Sequence, residues 1–368
     1  MIPFLPDIPV IYFHSVGVKS SAWSRSFLTA SIENANRFFR FISGRYTSLH
    51  LREYYEIRSG RSEAVANPIV ITFDDGYLDN WIYAFPLLKK YSLKATIFVS
   101  PEFVDGREII RGDDASPGFL SWSEMREMVA SGLIDIQSHT LTHTKYFTSD
   151  RLTGFHHPGN DILYAAGNLF PEQKPYHIGD KEFEKLLPYG YPLFEEESAV
   201  IARRVTISDD FISEIVEKLS DYDFSRYNFS EAFVMIRSIY EKYRNDNLII
   251  TRRESEEEYS ERVSREITGS KEIIEGELGR RVEFLCWPHG DNNSFLHRKA
   301  LDTGYLMTSI GHSVMAEDEI PSRIPERLGI DYSSFRRRVK TRFKLKAFSG
   351  LFPFRQAVLL ARSVKSAR

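Results

Sequence analysis

Short runs of β-branched and aromatic residues alternate with stretches whose apolar positions recur every three or four residues, a pattern that predicts an α/β fold. Seven runs read as strands: residues 8–14, 68–74, 94–99, 133–137, 281–287, 305–309 and 327–330. Between them, residues 79–91 place Trp81, Phe85, Leu87 and Leu88 at helical spacing. Another helix is predicted to start at Ser121, an N-cap with Glu124 as its capping-box partner. Residues 252–278 form a long, charged helical stretch. Polar residues gather at the C-terminal ends of the predicted strands: His14, Asp74-Asp75, Ser138-His139 and Pro288-His289. Chemistry in βα barrels collects at those ends.

The rhythm breaks between about 145 and 250, where aromatic and turn residues dominate. Loops of that length rarely stay structureless inside a domain. The predicted organisation is therefore a barrel from 1–145 and 251–335, an inserted subdomain at 146–250 and a tail at 336–368. His156-His157-Pro158-Gly159 and the Tyr/Pro-rich run at 188–192 are expected to fold over the polar end of the barrel.

Composition narrows the chemistry. With 42% hydrophobic and 27% charged residues the chain reads as a soluble globular protein. Cys286 is the sole cysteine, which excludes an intrachain disulfide and leaves His and carboxylates to bind any metal. The first seven residues lack the basic-then-apolar pattern of a signal peptide, and no run approaches a membrane span, so a cytoplasmic location is expected. Residues 336–368 carry eleven Lys or Arg and no acid, leaving 37 basic against 51 acidic side chains in the first 335, a balance of −14. The tail, with Phe348, Leu351, Phe352, Leu359 and Leu360 among its cations, is expected to touch an anionic membrane peripherally, at its inner face. Nucleic acid is not an expected partner, because the acidic body would repel it.

Asp74 and Asp75 end a buried strand side by side. Desolvating two anions together is costly unless a cation relieves them. One carboxylate binding a metal with the other free as a base would do so; a turn capping the next helix is the bland alternative. His139 and His143 follow another strand four residues apart, a spacing that on a helical turn aims both imidazoles at one ion. Two His and one Asp leave coordination positions open for water and substrate.

Thr72-Phe73-Asp74-Asp75-Gly76-Tyr77 and Ser138-His139-Thr140-Leu141-Thr142-His143 resemble the first two signature motifs of the polysaccharide deacetylases, the NodB-homology group or carbohydrate esterase family 4. Weaker similarity runs through Tyr12-Phe13-His14, residues 94–99 and Trp287-Pro288-His289-Gly290, covering roughly 8–145 and 262–332. The resemblance implies a distorted (β/α)7 TIM-like barrel, here with a large insertion. It also implies metal-dependent removal of an N-acetyl group from an amino sugar. By the same resemblance, Asp75, His139 and His143 are the metal ligands and Asp74 is the base. Zinc is favoured, and nickel, cobalt, iron and manganese also suit a His2Asp set. A backbone N–H near Tyr77 or the second motif is expected to help hold the oxyanion. Trp287 would form a sugar-stacking wall beside Pro288, His289 and Gly290.

Two family features are missing. No arginine occupies the third motif, and Arg327 on the last strand is the expected substitute. The late Leu-x-His motif is absent as well, which leaves the acid open among His14, His289, His312 and His156-His157, with His14 preferred. Competing readings are a non-catalytic carbohydrate-binding relative and a hydrolase for another N-acyl group, such as a deformylase on a lipid-linked sugar.

Overall fold

A computed structural model describes residues 7–19, 26–112, 118–176, 184–312 and 316–366. The first six residues, on which part of the expectation about a signal peptide rests, lie outside them. Every predicted strand forms, each within a residue or a few of its expected bounds. All pair in parallel: Arg327–Gly329 lies beside Val10–Phe13, followed by Pro68–Phe73, Ala95–Val99, Ile134–Ser138, Phe284–Leu285 and Met307–Ser309. Two short strands of this sheet went unforeseen. Thr47–Leu49 joins the N-terminal end of Pro68–Phe73, and Arg323–Ile324 pairs with Met307–Ser309. Arg323–Ile324 and Arg327–Gly329 are separated by Pro325 and Glu326 and serve opposite ends of the sheet. The seventh stave is thus one broken strand that nearly closes the barrel.

Strand alternation sorts the side chains into two layers. Val10, Val70, Phe98, Phe284, Cys286, Met307 and Ile324 come from six staves yet form one cluster, as lumen-facing residues must. Leu49, Leu51 and Tyr54 join that cluster from the Thr47–Leu49 end. Their neighbours Ile11, Ile71, Ile97, Ile136 and Leu285 face outward into the larger core under the helices. The capping box at Ser121 forms with both bonds: Glu124 N–H donates to Ser121 Oγ, and Ser121 N–H to the Glu124 carboxylate. The helix expected over 79–91 opens instead as a π-turn, Asn80–Ala84, before Phe85–Lys90.

Residues of the inserted stretch build a core of their own. The antiparallel pair Lys145–Phe155 and Pro192–Ser198 packs with the helices Asp209–Lys218 and Phe229–Asn245 around Phe155, Phe194, Phe211, Ile215 and Ile236. The tail departs from expectation. It forms two helices, Phe335–Phe348 and Phe354–Ser366. Leu345, Ala347 and Phe348 are buried in the barrel's outer core, with Leu359 packed against it. Phe348 and Leu359 are therefore not available to a bilayer, because the barrel takes up their apolar surface first. No described helix is long and apolar enough to cross a membrane.

Candidate metal and catalytic site

Adjacent strand residues point to opposite faces, so Asp74 and Asp75 should diverge. Asp74 continues the inward series of Val70 and Thr72. Asp75 escapes the alternation through a left-handed backbone, φ 72°, and Gly76 continues it at φ 68°. Both carboxylates then serve one site. Thr140, His143 and His289 also adopt positive φ, at 62°, 43° and 58°. Such strain in non-glycine residues collects where surrounding structure enforces a function.

His139 and His143 do converge, but not on a helical turn. Residues 139–144 form an irregular loop after Ile134–Ser138. His139 Nε2 lies 3.3 Å and His143 Nε2 3.1 Å from Asp75 Oδ1. The three ligand atoms lie within 4.8 Å of one another. His139 Nδ1 donates to the Cys286 carbonyl at 2.7 Å, which turns the Nε2 lone pair toward Asp75. Burial pushes the Asp75 carboxyl up, but His143 and His139 outweigh it and hold it well below the usual range. Two nitrogens and a carboxylate, dehydrated and drawn together, fit a divalent cation.

Asp74 is gripped by Arg327. The guanidinium donates in parallel to both carboxylate oxygens, at 2.7 and 2.8 Å, and also to Thr72 Oγ1 at 3.2 Å and Cys286 Sγ at 3.0 Å. Burial raises the Asp74 carboxyl, yet Arg327 leaves it below its ordinary value. Arg327 arrives here because its strand pairs Arg327 with Val10, and Val10 with Val70. His14 Nε2 is 3.9 Å from Asp74 Oδ2, with the side chain a quarter exposed.

The third-motif residues separate. Trp287 is 1% exposed and belongs to the outer core, one residue out of phase with lumen-facing Cys286. It cannot serve as a sugar wall. Pro288 is buried, whereas His289 and Gly290 reach the rim. The His289 ring meets His143 edge-on at 4.8 Å and its Nε2 lies 3.3 Å from Tyr164 Oη. Burial, with His143 and Lys145 beside it, pushes His289 down to about 2, so it stands neutral and is no resting acid. Tyr77 buries its ring against Phe119 and lines a narrow recess with Asp75, Ser100, Phe103, Phe119, His143 and Leu163.

Leu163 and Tyr164 come from the inserted stretch, whose helix Leu163–Leu169 therefore reaches the site. The expected His156-His157 pair does other work. Buried His156 bonds Asn160 Oδ1 and the Glu184 carbonyl, and His157 stacks on Tyr227. His312 is exposed, its N–H donating to the Gly290 carbonyl.

Two positioning residues escaped the sequence reading. Glu266, buried on the helix Glu256–Leu278, accepts the N–H groups of Leu141 (3.2 Å) and Thr142 (3.0 Å) and the Thr142 hydroxyl (2.6 Å). Lys174, 3% exposed, donates to Glu102 at 2.5 Å and to the Thr142 carbonyl at 3.3 Å. Together they pin the loop between the two histidines. Glu266 left a trace in the sequence, an acid within the apolar stripe Tyr259, Val263, Ile267 and Ile274. Lys174 left none. Glu266→Gln and Lys174→Met are each expected to weaken zinc binding by ~10–100-fold, the usual cost of losing support behind a ligand. Competition titration with a chelator measures this, with circular dichroism confirming the fold; unchanged zinc affinity would remove both residues from the site.

Known proteins are similar to the segment that holds both motifs. The family model described as polysaccharide deacetylase matches residues 61–158, which hold both motifs. YxkH of Bacillus subtilis (strain 168), described as a candidate polysaccharide deacetylase, is 41% identical over 75 residues, 20% of this chain and 23% of that protein. The chain thus matches less than a quarter of that relative's length. A poly-β-1,6-N-acetyl-D-glucosamine N-deacetylase of Staphylococcus aureus is 26% identical over 234 residues, 56% of this chain and 76% of its own. Among solved structures, a de-N-acetylase from Aggregatibacter actinomycetemcomitans superposes with a TM-score of 0.55 at 18% identity, covering 91% of this chain and 99% of that one. Over residues 61–158, which hold both motifs, the chain is thus similar to the polysaccharide deacetylases.

Proposed function

We propose that the protein hydrolyses the N-acetyl group of an amino sugar within a polysaccharide, using a divalent cation held by Asp75, His139 and His143. The observation that carries the reading is the paired geometry: a three-ligand site with open coordination beside Asp74, a carboxylate held ionised by a two-pronged arginine. When bound, the cation supplies Lewis-acid polarisation of the acyl carbonyl and lowers the pKa of water. Asp74 takes a proton from the attacking water as its oxygen bonds to the acyl carbon. The Tyr77 backbone N–H, next to the ligand segment, shares the developing oxyanion. His14 hands a proton to the amine nitrogen as the C–N bond breaks, releasing acetate and a free amine. The apolar recess of Tyr77, Phe103, Phe119 and Leu163 takes the acyl methyl and favours acetyl over longer chains.

The similarity to the Staphylococcus aureus enzyme makes β-1,6-linked N-acetylglucosamine oligomers the first substrates to try. Zinc- or cobalt-loaded protein is expected to release acetate from them much faster than it releases formate or butanoate from the N-formyl or N-butanoyl analogues. If metal-loaded protein releases no acetate from β-1,6- or β-1,4-linked oligomers, the hydrolytic reading fails. Release from the N-formyl analogue alone would shift the assignment to a deformylase.

A further inference from the structure

The two C-terminal helices spend one face each on the barrel and leave the other uncovered. In Phe335–Phe348, Thr341, Leu345 and Phe348 are buried. Phe335 and Val339 then form an exposed stripe on the far side, Phe335 being 73% exposed, which ends where Phe343 packs edge-on against Phe354 of the second helix at 5.1 Å. Arg336, Lys340, Arg342 and Lys346 are exposed alongside it. In Phe354–Ser366 the inward residues are Phe354, Val358 and Leu359. Ala357, Leu360, Ala361 and Val364 make an exposed stripe with the i, i+3, i+4, i+7 spacing of one helix face and no charge within it. Leu351 and Phe352 cap the turn between the helices, Phe352 at 79% exposure. Single exposed apolar residues are ordinary on a protein surface, but stripes on two paired helices joined by an exposed Phe are not.

Charge identifies the occupant. The segment carries eleven Lys or Arg and no acid, on a body of balance −14. Arg337, Arg355 and Arg362 pair with Asp331, Asp7 and Glu326 of that body. Among the described residues Arg336, Arg338 and Lys340 have no carboxylate partner within ion-pair distance, whereas Lys346 Nζ sits 4.6 Å over the Phe354 ring. Protein interfaces are depleted in lysine, whereas helices that lie in a lipid interface combine Lys and Arg with Phe and Leu in this way. We propose that this helix pair docks the protein on an anionic lipid bilayer, with Phe352, Leu360 and the Phe335 stripe entering the interface and the unpaired cations meeting the headgroups. The docking is independent of the reaction assigned above.

The test uses the full chain, because truncation would strip Leu345 and Phe348 from the core. Cosedimentation with phosphatidylglycerol/phosphatidylcholine vesicles is compared with phosphatidylcholine alone, at low and high salt. Expected are binding to the anionic vesicles only, loss with salt, and a loss of ~25-fold for Arg336→Gln/Lys340→Gln, about five-fold per cation removed. Phe352→Ser, at a position too exposed to matter to folding, is expected to lose about ten-fold or more. Absence of binding to anionic vesicles at low salt overturns the proposal, as does equal binding to both vesicle types. A concentration-dependent dimer that Phe352→Ser abolishes, without vesicle binding, would make a second copy the occupant and overturn it too.

Discussion

Replacing Asp74 by Asn is expected to leave the protein folded and metal-loaded while lowering acetate release by ~10²–10⁴-fold, the usual contribution of a positioned proton acceptor. The substitution keeps shape and one oxygen acceptor for Arg327, though the buried guanidinium loses its counter-charge and some stability goes with it. It removes the basic oxygen and leaves Asp75, His139 and His143 untouched. Asp75→Ala, His139→Ala and His143→Ala are expected to lose bound ion and activity together, since each takes away one donor of a three-donor set. The contrast separates base from ligand, and zinc stoichiometry beside acetate release reads it. An Asp74→Asn protein that turns over at full rate would sink the base assignment; one that loses its ion would make Asp74 a ligand.

Arg327→Met is expected to destabilise the fold by ~3–5 kcal/mol, because it leaves the buried Asp74 charge without its partner. In the native protein the Asp74 carboxyl sits below its ordinary value, since Arg327 overcomes the effect of burial. That pair therefore stabilises the fold above the ordinary carboxylate pKa, and the contribution disappears as pH falls through the depressed one. In the variant burial is opposed only by His139 and His14, and the Asp74 pKa rises. The acid limb of kcat/KM is then expected to move to higher pH, and stability to decline as pH rises, because ionisation now costs the native state. Arg327→Lys, which restores charge without the two-pronged geometry, is expected to recover part of the stability and less of the pH profile. Urea denaturation at several pH values and a pH–rate profile are the measurements. An acid limb that stays in place would free Asp74 from Arg327's control.

Much of this site was legible in the chain. Asp74-Asp75 and the two histidines stand at ends of runs whose burial pattern announces strands, and Asp75, His139 and His143 meet as that pattern suggests. The reasons were partly wrong. Four-residue spacing was read as a helical turn, whereas the loop reaches the same convergence through left-handed Thr140 and His143. Trp287 looked like a binding aromatic from its neighbours in sequence, yet strand phase sends it outward and Cys286 inward. The insertion was expected to act through His156 and His157, but Leu163, Tyr164 and Lys174 make the contacts.

The sequence by itself determined what local pattern can encode: the strands, the capping box at Ser121, the carboxylate pair, the histidine pair and the lopsided charge of the tail. Each depends on residue type within a few positions, where helical and strand periods act. Tertiary structure decided what depends on distant segments meeting. Arg327 reaches Asp74 across 253 residues of chain because their strands both flank Val10–Phe13. Glu266 holds the Leu141–Thr142 backbone from 124 and 125 residues away. Whether Phe348 meets a core or a solvent likewise rests on the barrel surface beneath it, which no local pattern of the tail contains.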